Sequence, residues 1–306
     1  MVMSQDQSRF LEPGGAVRPK RPAELHDPLN RYLYHPLAWQ LARRLARTPV
    51  TPNMVSMLGA LCVIAAGIAY AQPWYPASAL LGLLLHMAWH VVDGADGDLA
   101  RLTGRSSPTG EMVDGLCDYL SHVVLYIILA FLLQSTMEPV SAWAWVAVAG
   151  ISHAVQSNHV EVQRRQYQYW VYGTPWIRNN HEADSATGKS GFASLVSAYL
   201  AVASGMTPFA LKIDAAVEQA GGNQERLARI AAAVRSEAPP LLFLCKILGP
   251  NPRAIVLGLA MLAGGPDWSG VFYYCLYQAI VLNGLLVVSV ITHNAAAKRI
   301  AAKIGA

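Results

Sequence analysis

Six apolar runs, near residues 54–72, 77–92, 119–134, 141–157, 252–265 and 271–292, constrain this chain more than any other feature. Each is long enough to cross, or nearly cross, a bilayer as a helix. The fifth is short, and Pro239 to Arg253 extends it only through Pro250 and Pro252, which are expected to kink it. With 54% hydrophobic and 14% charged residues, the 306-residue chain is too apolar for an ordinary soluble domain.

Lys and Arg orient the runs. The connectors after the first, third and fifth, near 72–75, 135–139 and 264–270, contain neither. All 23 basic residues fall in the N-terminal region, the 101–105 connector, the 164–253 stretch or the tail with Lys298, Arg299 and Lys303. That asymmetry predicts six spans with both ends cytoplasmic. The expected fold is therefore an all-α polytopic membrane protein of six transmembrane helices, preceded by an amphipathic interfacial helix.

That first helix is expected over 27–48. Leu29, Leu33, Leu37, Leu41 and Leu45 recur every four residues, with Tyr32, Tyr34 and Trp39 interleaved and Arg31, Arg43, Arg44 and Arg47 on the polar side. Such a pattern lies in a membrane surface and is drawn to anionic lipid; a helix packed on the protein is the alternative. Pro28 suits a helix start, and Pro36 should bend it. Residues 1–26 form a polar tail without a signal-peptide core, and 49–165 carry the first four spans. Residues 166–238 are expected as a cytoplasmic or interfacial insertion, and 239–306 as the last two spans with a basic tail. The uncharged stretch 191–211 resembles a further span, but one extra crossing would move Lys298, Arg299 and Lys303 outside. The four cysteines, Cys62, Cys117, Cys245 and Cys275, lie in or beside apolar runs without C-x-x-C spacing and read as small buried residues.

Between the second and third runs lies the chemistry. Asp93, Asp96, Gly97 and Ala100 stand on one helix face, and Gly110, Asp114 and Asp118 step by four along another. The residues between carry Gly104, Ser106, Ser107 and Pro108, a connector composition. If the two helices pack antiparallel, four carboxylates converge. Each costs about 2.5 to 3.5 kcal/mol at a membrane-helix centre, so such groups usually serve function. An all-oxygen cluster favours a hard cation, Mg2+ or Mn2+.

The same string, Asp93-x2-Asp96-Gly97-x2-Ala100-Arg101-x8-Gly110-x3-Asp114-x3-Asp118, resembles the signature of the CDP-alcohol phosphotransferase family at all eight of its fixed positions. The resemblance covers residues 27–165 and thins beyond them to a hydropathy match. It implies that Asp93, Asp96, Asp114 and Asp118 hold two divalent ions on a CDP pyrophosphate, with Asp118 also the base. It further implies that Gly97, Ala100 and Gly110 leave room for the nucleotide, that Arg101 pairs with phosphate, and that Asn53 lies near the nucleotide. The implied reaction transfers a substituted phosphoryl group from a CDP-linked donor to an acceptor alcohol or alcohol phosphate and releases CMP. The implied setting is a bacterial inner membrane, among membrane lipids, with the site facing the cytoplasm. A homodimer stays open, and no nucleic-acid partner is expected.

Three other chemistries fit less well. An EF-hand loop starting at Asp93 would put Ala95, Gly97 and Gly104 where calcium ligands belong. Membrane prenyltransferases use two Asp-rich motifs far apart in sequence, whereas both pairs here lie in one helix pair. A transporter with an acidic cation path has no need of Arg101 at a fixed offset from the aspartates.

The substrates divide two ways. The six-span count favours CDP-diacylglycerol with a polar acceptor. The string His26-Asp27-Pro28-Leu29-Asn30 and the pair His35-Pro36 look more like choline and ethanolamine phosphotransferases, which use a CDP-aminoalcohol and a lipid hydroxyl. His90 and His122 extend the aspartate faces and, with Arg164, Lys246 and Arg253, are the acceptor-binding candidates. Lys246 and Arg253 would share a face if Pro250 and Pro252 leave the helix intact. His86, and the stripe His153, Ser157 and Glu161, are expected to help line the cavity or to act as polar packing.

The charge asymmetry yields a topology test. A cysteine at Ser185 should resist membrane-impermeant thiol reagents in intact cells, while one at Ser135 should label. The reverse pattern would overturn the six-span arrangement.

Overall fold

A computed structural model describes residues 21–174, 202 and 205–305. The tail to residue 20, Ser185 and most of the uncharged 191–211 stretch lie outside the described residues. Among those described there are helices and no strands. In chain order they are α1 (His35–Leu45), α2 (Pro52–Tyr70), α3 (Ala77–Leu102), α4 (Pro108–Leu133), α5 (Pro139–Tyr172), α6 (Ala210–Gln219), α7 (Gln224–Ile247), α8 (Pro250–Gly264), α9 (Gly270–Leu276) and α10 (Leu282–Ile304). The chain is a polytopic all-α membrane protein.

Helix starts follow local chemistry. Thr51 accepts a hydrogen bond from the Met54 amide and Pro52 opens α2; Ser107 accepts from the Gly110 amide and Pro108 opens α4. Asn223 caps α7 through the Arg226 amide. The Glu138 carboxylate accepts from the amides of Val140 and Ser141 at the start of α5. In each case an oxygen satisfies an amide with no partner inside the helix.

Among the described residues, five stretches are long and apolar enough to cross a membrane: Pro52–Tyr70, Ala77–Leu102, Thr109–Leu133, Gln224–Asp267 and Gly270–Ile304. Helix α5 covers the expected fourth run but is not among them. Its buried face carries Ser152, Gln156, His159, Gln163 and Gln166, which lower its apolarity. Helix α5 also continues to Tyr172, and α7 runs through Pro239 and Pro240, so the boundaries expected at 165 and 238 fall inside helices.

The chain forms two compact units. The first comprises Met1–Gly150 and Arg253–Cys275, the second Ile151–Pro252 and Leu276–Ala306.

In the first unit α2 packs along both α3 and α4, and α1 packs on α3. Ala38, Ala42, Val55, Val92, Ala95 and Leu99 form the core shared by α1, α2 and α3. Small residues allow the approach: a Cβ on Gly94 would stand 3.2 Å from that of Ala38. The buried side of α1 and of the turn before it is thus Tyr34, Ala38, Trp39 and Ala42, while Tyr32, Leu33 and Leu37 remain exposed apolar groups. A π-helical turn, Asn30–Tyr34, precedes Pro36. The widened turn takes up the kink that Pro36, which lacks an amide hydrogen, imposes.

In the second unit α10 packs against α6 and α7. Across α5 and α10, Gln156 donates to the Gln278 carbonyl and to Asn283, Asn283 donates to Ser152, and His159 pairs with Ser289. The Trp170 indole donates to Asp214 of α6 at 2.6 Å.

Two glycines separate packing from propensity. A Cβ on Gly82 would overlap the Tyr70 ring, whereas one on Gly115 would meet nothing within 4 Å. Gly82→Ala should destabilise by about 1–3 kcal/mol through overpacking. Gly115→Ala should be neutral or stabilising by up to about 1 kcal/mol. Thermal unfolding in detergent would reveal both effects.

Candidate functional site

The α3–α4 connection turns at Gly104, whose φ of 65° is a left-handed conformation that glycine adopts without strain. It folds the chain back so that equal depths meet. Asp96 lies six residues before the end of α3 and Asp114 six residues after the start of α4, each about 9 Å from the turn at 1.5 Å per residue. Asp93 and Asp118 lie one turn deeper. The side chains meet in that register: Asp93 faces Asp118, and Asp96 faces Asp114.

Carboxylates this close repel unless a proton or a cation stands between them. One oxygen each from Asp93, Asp114 and Asp118 lie within 4.8 Å of one another. Three oxygen donors, with neither sulfur nor nitrogen among them, fit a hard divalent ion of the Mg2+ or Mn2+ type. Asp96, beside Asp114, accepts a hydrogen bond at its Oδ2 from Ser56 of α2 at 2.6 Å.

A ring of aromatic side chains walls the deep end. The Trp89 indole donates to Asp118 Oδ1 at 2.9 Å, which fixes one oxygen of that carboxylate. The Trp89 ring lies 4.4 Å from His90 and 4.7 Å from His122, and Tyr34 of the surface helix lies 5.0 Å from His90. His122 Nδ1 is 2.8 Å from the Asp118 carbonyl. A carbonyl only accepts, so Nδ1 carries the hydrogen. His90 Nε2 and His86 Nδ1 are buried without a hydrogen-bond partner. Arg253 is 2% exposed, and its charge reaches His122 and Tyr126.

The remaining candidates sit nearer the turn. Asn53 is exposed in the first turn of α2, and its Oδ1 would lie 3.8 Å from a Cβ on Gly110. Gly97 lies under the Arg101 guanidinium, whose nitrogens would be 3.4 Å from a Cβ there, and Ala100 is half-buried. Arg101 is engaged by Asp98, which accepts from it and from Arg21 at 2.6 Å each. Arg21 also reaches His35, which contacts His26, so the segment before α1 is tied to α3.

Two acceptor candidates belong to the second unit. Arg164, with Arg165, is ion-paired to Glu161, and Lys246 lies in the last turn of α7. Lys246 and Arg253 do not share a helix face, because α7 ends at Ile247 and α8 begins at Pro250. Proline at the start of α8 cannot continue the hydrogen-bond ladder of α7. His153, Ser157 and Glu161 also belong to the second unit.

Sequence spacing did not reveal Ser56, Asp98 or Arg21. Trp89 carried a usable signal, standing four residues before Asp93 on the same helix face.

A family model described as CDP-alcohol phosphatidyltransferase matches residues 49–213. The chain is 31% identical over 115 residues to an ethanolaminephosphotransferase 1 of Pongo abelii, covering 33% of this chain and 28% of that one. It is 31% identical over 107 residues to a CDP-diacylglycerol–serine O-phosphatidyltransferase of Mycobacterium leprae, covering 35% and 33%. It is 33% identical over 125 residues to a ceramide phosphoethanolamine synthase of Drosophila melanogaster, covering 37% and 31%. The matched part thus spans about a third of each relative's length.

The carboxylate triplet predicts cation binding that can be read without turnover. Mn2+ added to the purified protein should lose its free-ion paramagnetic resonance signal as it binds. Asp93→Asn or Asp114→Asn should weaken that binding at least about tenfold, each having lost a charged ligand. Equal binding by the variants would show that these carboxylates are not ligands.

Proposed function

Because the chain belongs to the CDP-alcohol phosphatidyltransferase family, we propose that it is a membrane transferase that moves a substituted phosphoryl group from a CDP-linked donor to an acceptor hydroxyl and releases CMP. The observation that carries this reading is the convergence of Asp93, Asp114 and Asp118 within 4.8 Å of one another, with Asp96 beside them.

Asp93, Asp114 and Asp118 would hold one divalent ion, and Asp96 with Asp114 would contribute to a second. Such ions, when bound, neutralise the donor pyrophosphate and polarise its phosphorus. Ser56 keeps Asp96 oriented, and the Trp89 indole keeps Asp118 turned toward the acceptor. Asp118 takes the proton of the acceptor hydroxyl. The acceptor oxygen then bonds to the distal phosphorus, the bond to the bridging oxygen breaks, and CMP leaves with that electron pair. Gly97, Ala100 and Gly110 leave space for the nucleotide, with Asn53 beside it. Arg101 meets phosphate while Asp98 sets its direction. The unpartnered His90 Nε2 offers the acceptor a hydrogen bond, and His122 and Arg253 stand on the same side.

CDP-diacylglycerol with a polar acceptor is the first reading of the substrates. A second is favoured by the ordered His26, Asp27, Asn30 and His35 segment and by the ethanolamine named in two relatives. In it a CDP-aminoalcohol donates to a lipid hydroxyl.

The purified protein in lipid should release CMP from only one donor class, and only when Mg2+ or Mn2+ is present. Asp118→Asn should slow release by about 10²–10⁴-fold, the usual contribution of a general base. CMP release undiminished in excess chelator would reject the reading, and the donor that supports release decides between the two substrate layouts.

A further inference from the structure

The second unit contains a basic recess unrelated to the aspartates. It has a volume of ≈ 390 Å3 and lies among α6, α7 and the end of α10. Lys212 and Gln219 come from α6, Arg226 and Arg229 from α7, and Lys303 from α10, over a floor that includes buried Ile230. None of the lining residues is acidic.

Among the described residues, three of the four cations have no counter-charge. Lys303 is neutralised by Glu237 at 2.6 Å, and Glu237 is shared with Arg299. Lys212, Arg226 and Arg229 form no ion pair or side-chain hydrogen bond among the described residues. Like charges held around one recess raise its potential and attract an anion.

Helix polarity adds to the field. Arg226 stands in the first turn of α7 and Arg229 in the next, where the positive end of the helix dipole disfavours a cation. The choice runs against helix stability, and its effect is to strengthen anion attraction at that end. Asn223 already satisfies the Arg226 amide, so capping does not account for the arginines.

We propose that this recess is a binding site for a phosphate group, carried either by a small soluble phosphate ester or by the headgroup of an anionic lipid. Arginine forks match phosphate oxygens in pairs, and Lys212 supplies a point charge. The volume lies near the lower end of the range for small-molecule sites, which suits a phosphate with a short polar or apolar appendage. The exposed positions of Lys212, Arg226 and Arg229 leave the recess accessible from solvent. The site is independent of the transferase reading and uses none of its residues.

The test uses the full chain in nanodiscs of zwitterionic phosphatidylcholine, with EDTA present to remove divalent ions from the aspartates. Inorganic phosphate is titrated, and separately phosphatidylglycerol is added to the nanodisc lipid. Saturating probe should raise the melting temperature by about 5 °C. In Lys212→Gln/Arg226→Gln/Arg229→Gln the titration midpoint should weaken at least about tenfold. If that variant does not fold, Arg229→Gln alone should weaken it about threefold or more. Arg226→Lys/Arg229→Lys should keep part of the shift. Protection by inorganic phosphate assigns a soluble ligand, and protection by phosphatidylglycerol alone assigns a lipid headgroup. No shift with either probe, or an unchanged midpoint in the glutamine variants, overturns the proposal.

Discussion

Carboxylates that share an apolar helix pair repel one another and lose hydration together, and the first unit is arranged around that cost. Asp93 meets Asp118 and Asp96 meets Asp114 at matched depths. Neutral donors then take up individual oxygens: Ser56 holds Asp96 and the Trp89 indole holds Asp118. Asp98, one position from the cluster's Gly97, is 2% exposed and compensated by two arginines. Asp93, Asp114 and Asp118 bring one oxygen each within 4.8 Å of one another, a donor set whose chemistry suits a hard cation. The same residues thus account for local stability and for the proposed chemistry.

Helix α2 braces this arrangement by packing on both helices that carry the aspartates. It backs α3 and α4 together, and its own small and β-branched residues pack into the core with Ala95 and Leu99 of α3. Ser56 therefore reaches Asp96 from a fixed position instead of from a loop. The surface helix plays a similar part on the other side. Its buried Tyr34 lies against His90, while its exposed Leu33 and Leu37 stay available to an apolar environment. One short helix combines packing on the protein with an apolar outer face, two roles that a leucine repeat alone leaves as alternatives.

The second unit is built on different physics. Polar side chains of α5, of α10 and of the π-helical turn Tyr277–Val281 before α10 pair through Gln156, Gln278, Asn283, His159 and Ser289. Polar contacts of this kind set the register between helices where apolar surface alone would not. It also carries the basic recess lined by Lys212, Arg226 and Arg229.

Much of the fold and the heart of the site were legible in the sequence. Apolar runs of bilayer length and the four-residue steps of the aspartates are one-dimensional patterns, and helix geometry converts them directly into depth and face. The turn at Gly104 completes that conversion, so the pairing of Asp93 with Asp118 needs little beyond counting residues. Partners from other helices are not encoded in spacing. That Ser56 faces Asp96, that Asp98 captures Arg21, and that the fourth apolar run buries amides follow from packing between elements distant in sequence. The break between Lys246 and Arg253 likewise depended on whether the chain around Pro250 and Pro252 continues or restarts, and it restarts. The sequence by itself determined helical membrane architecture and the carboxylate faces, because both rest on local periodicity. Tertiary structure decided which carboxylate oxygens Ser56, Trp89 and Arg21 pin, because that depends on contacts formed only once the helices pack.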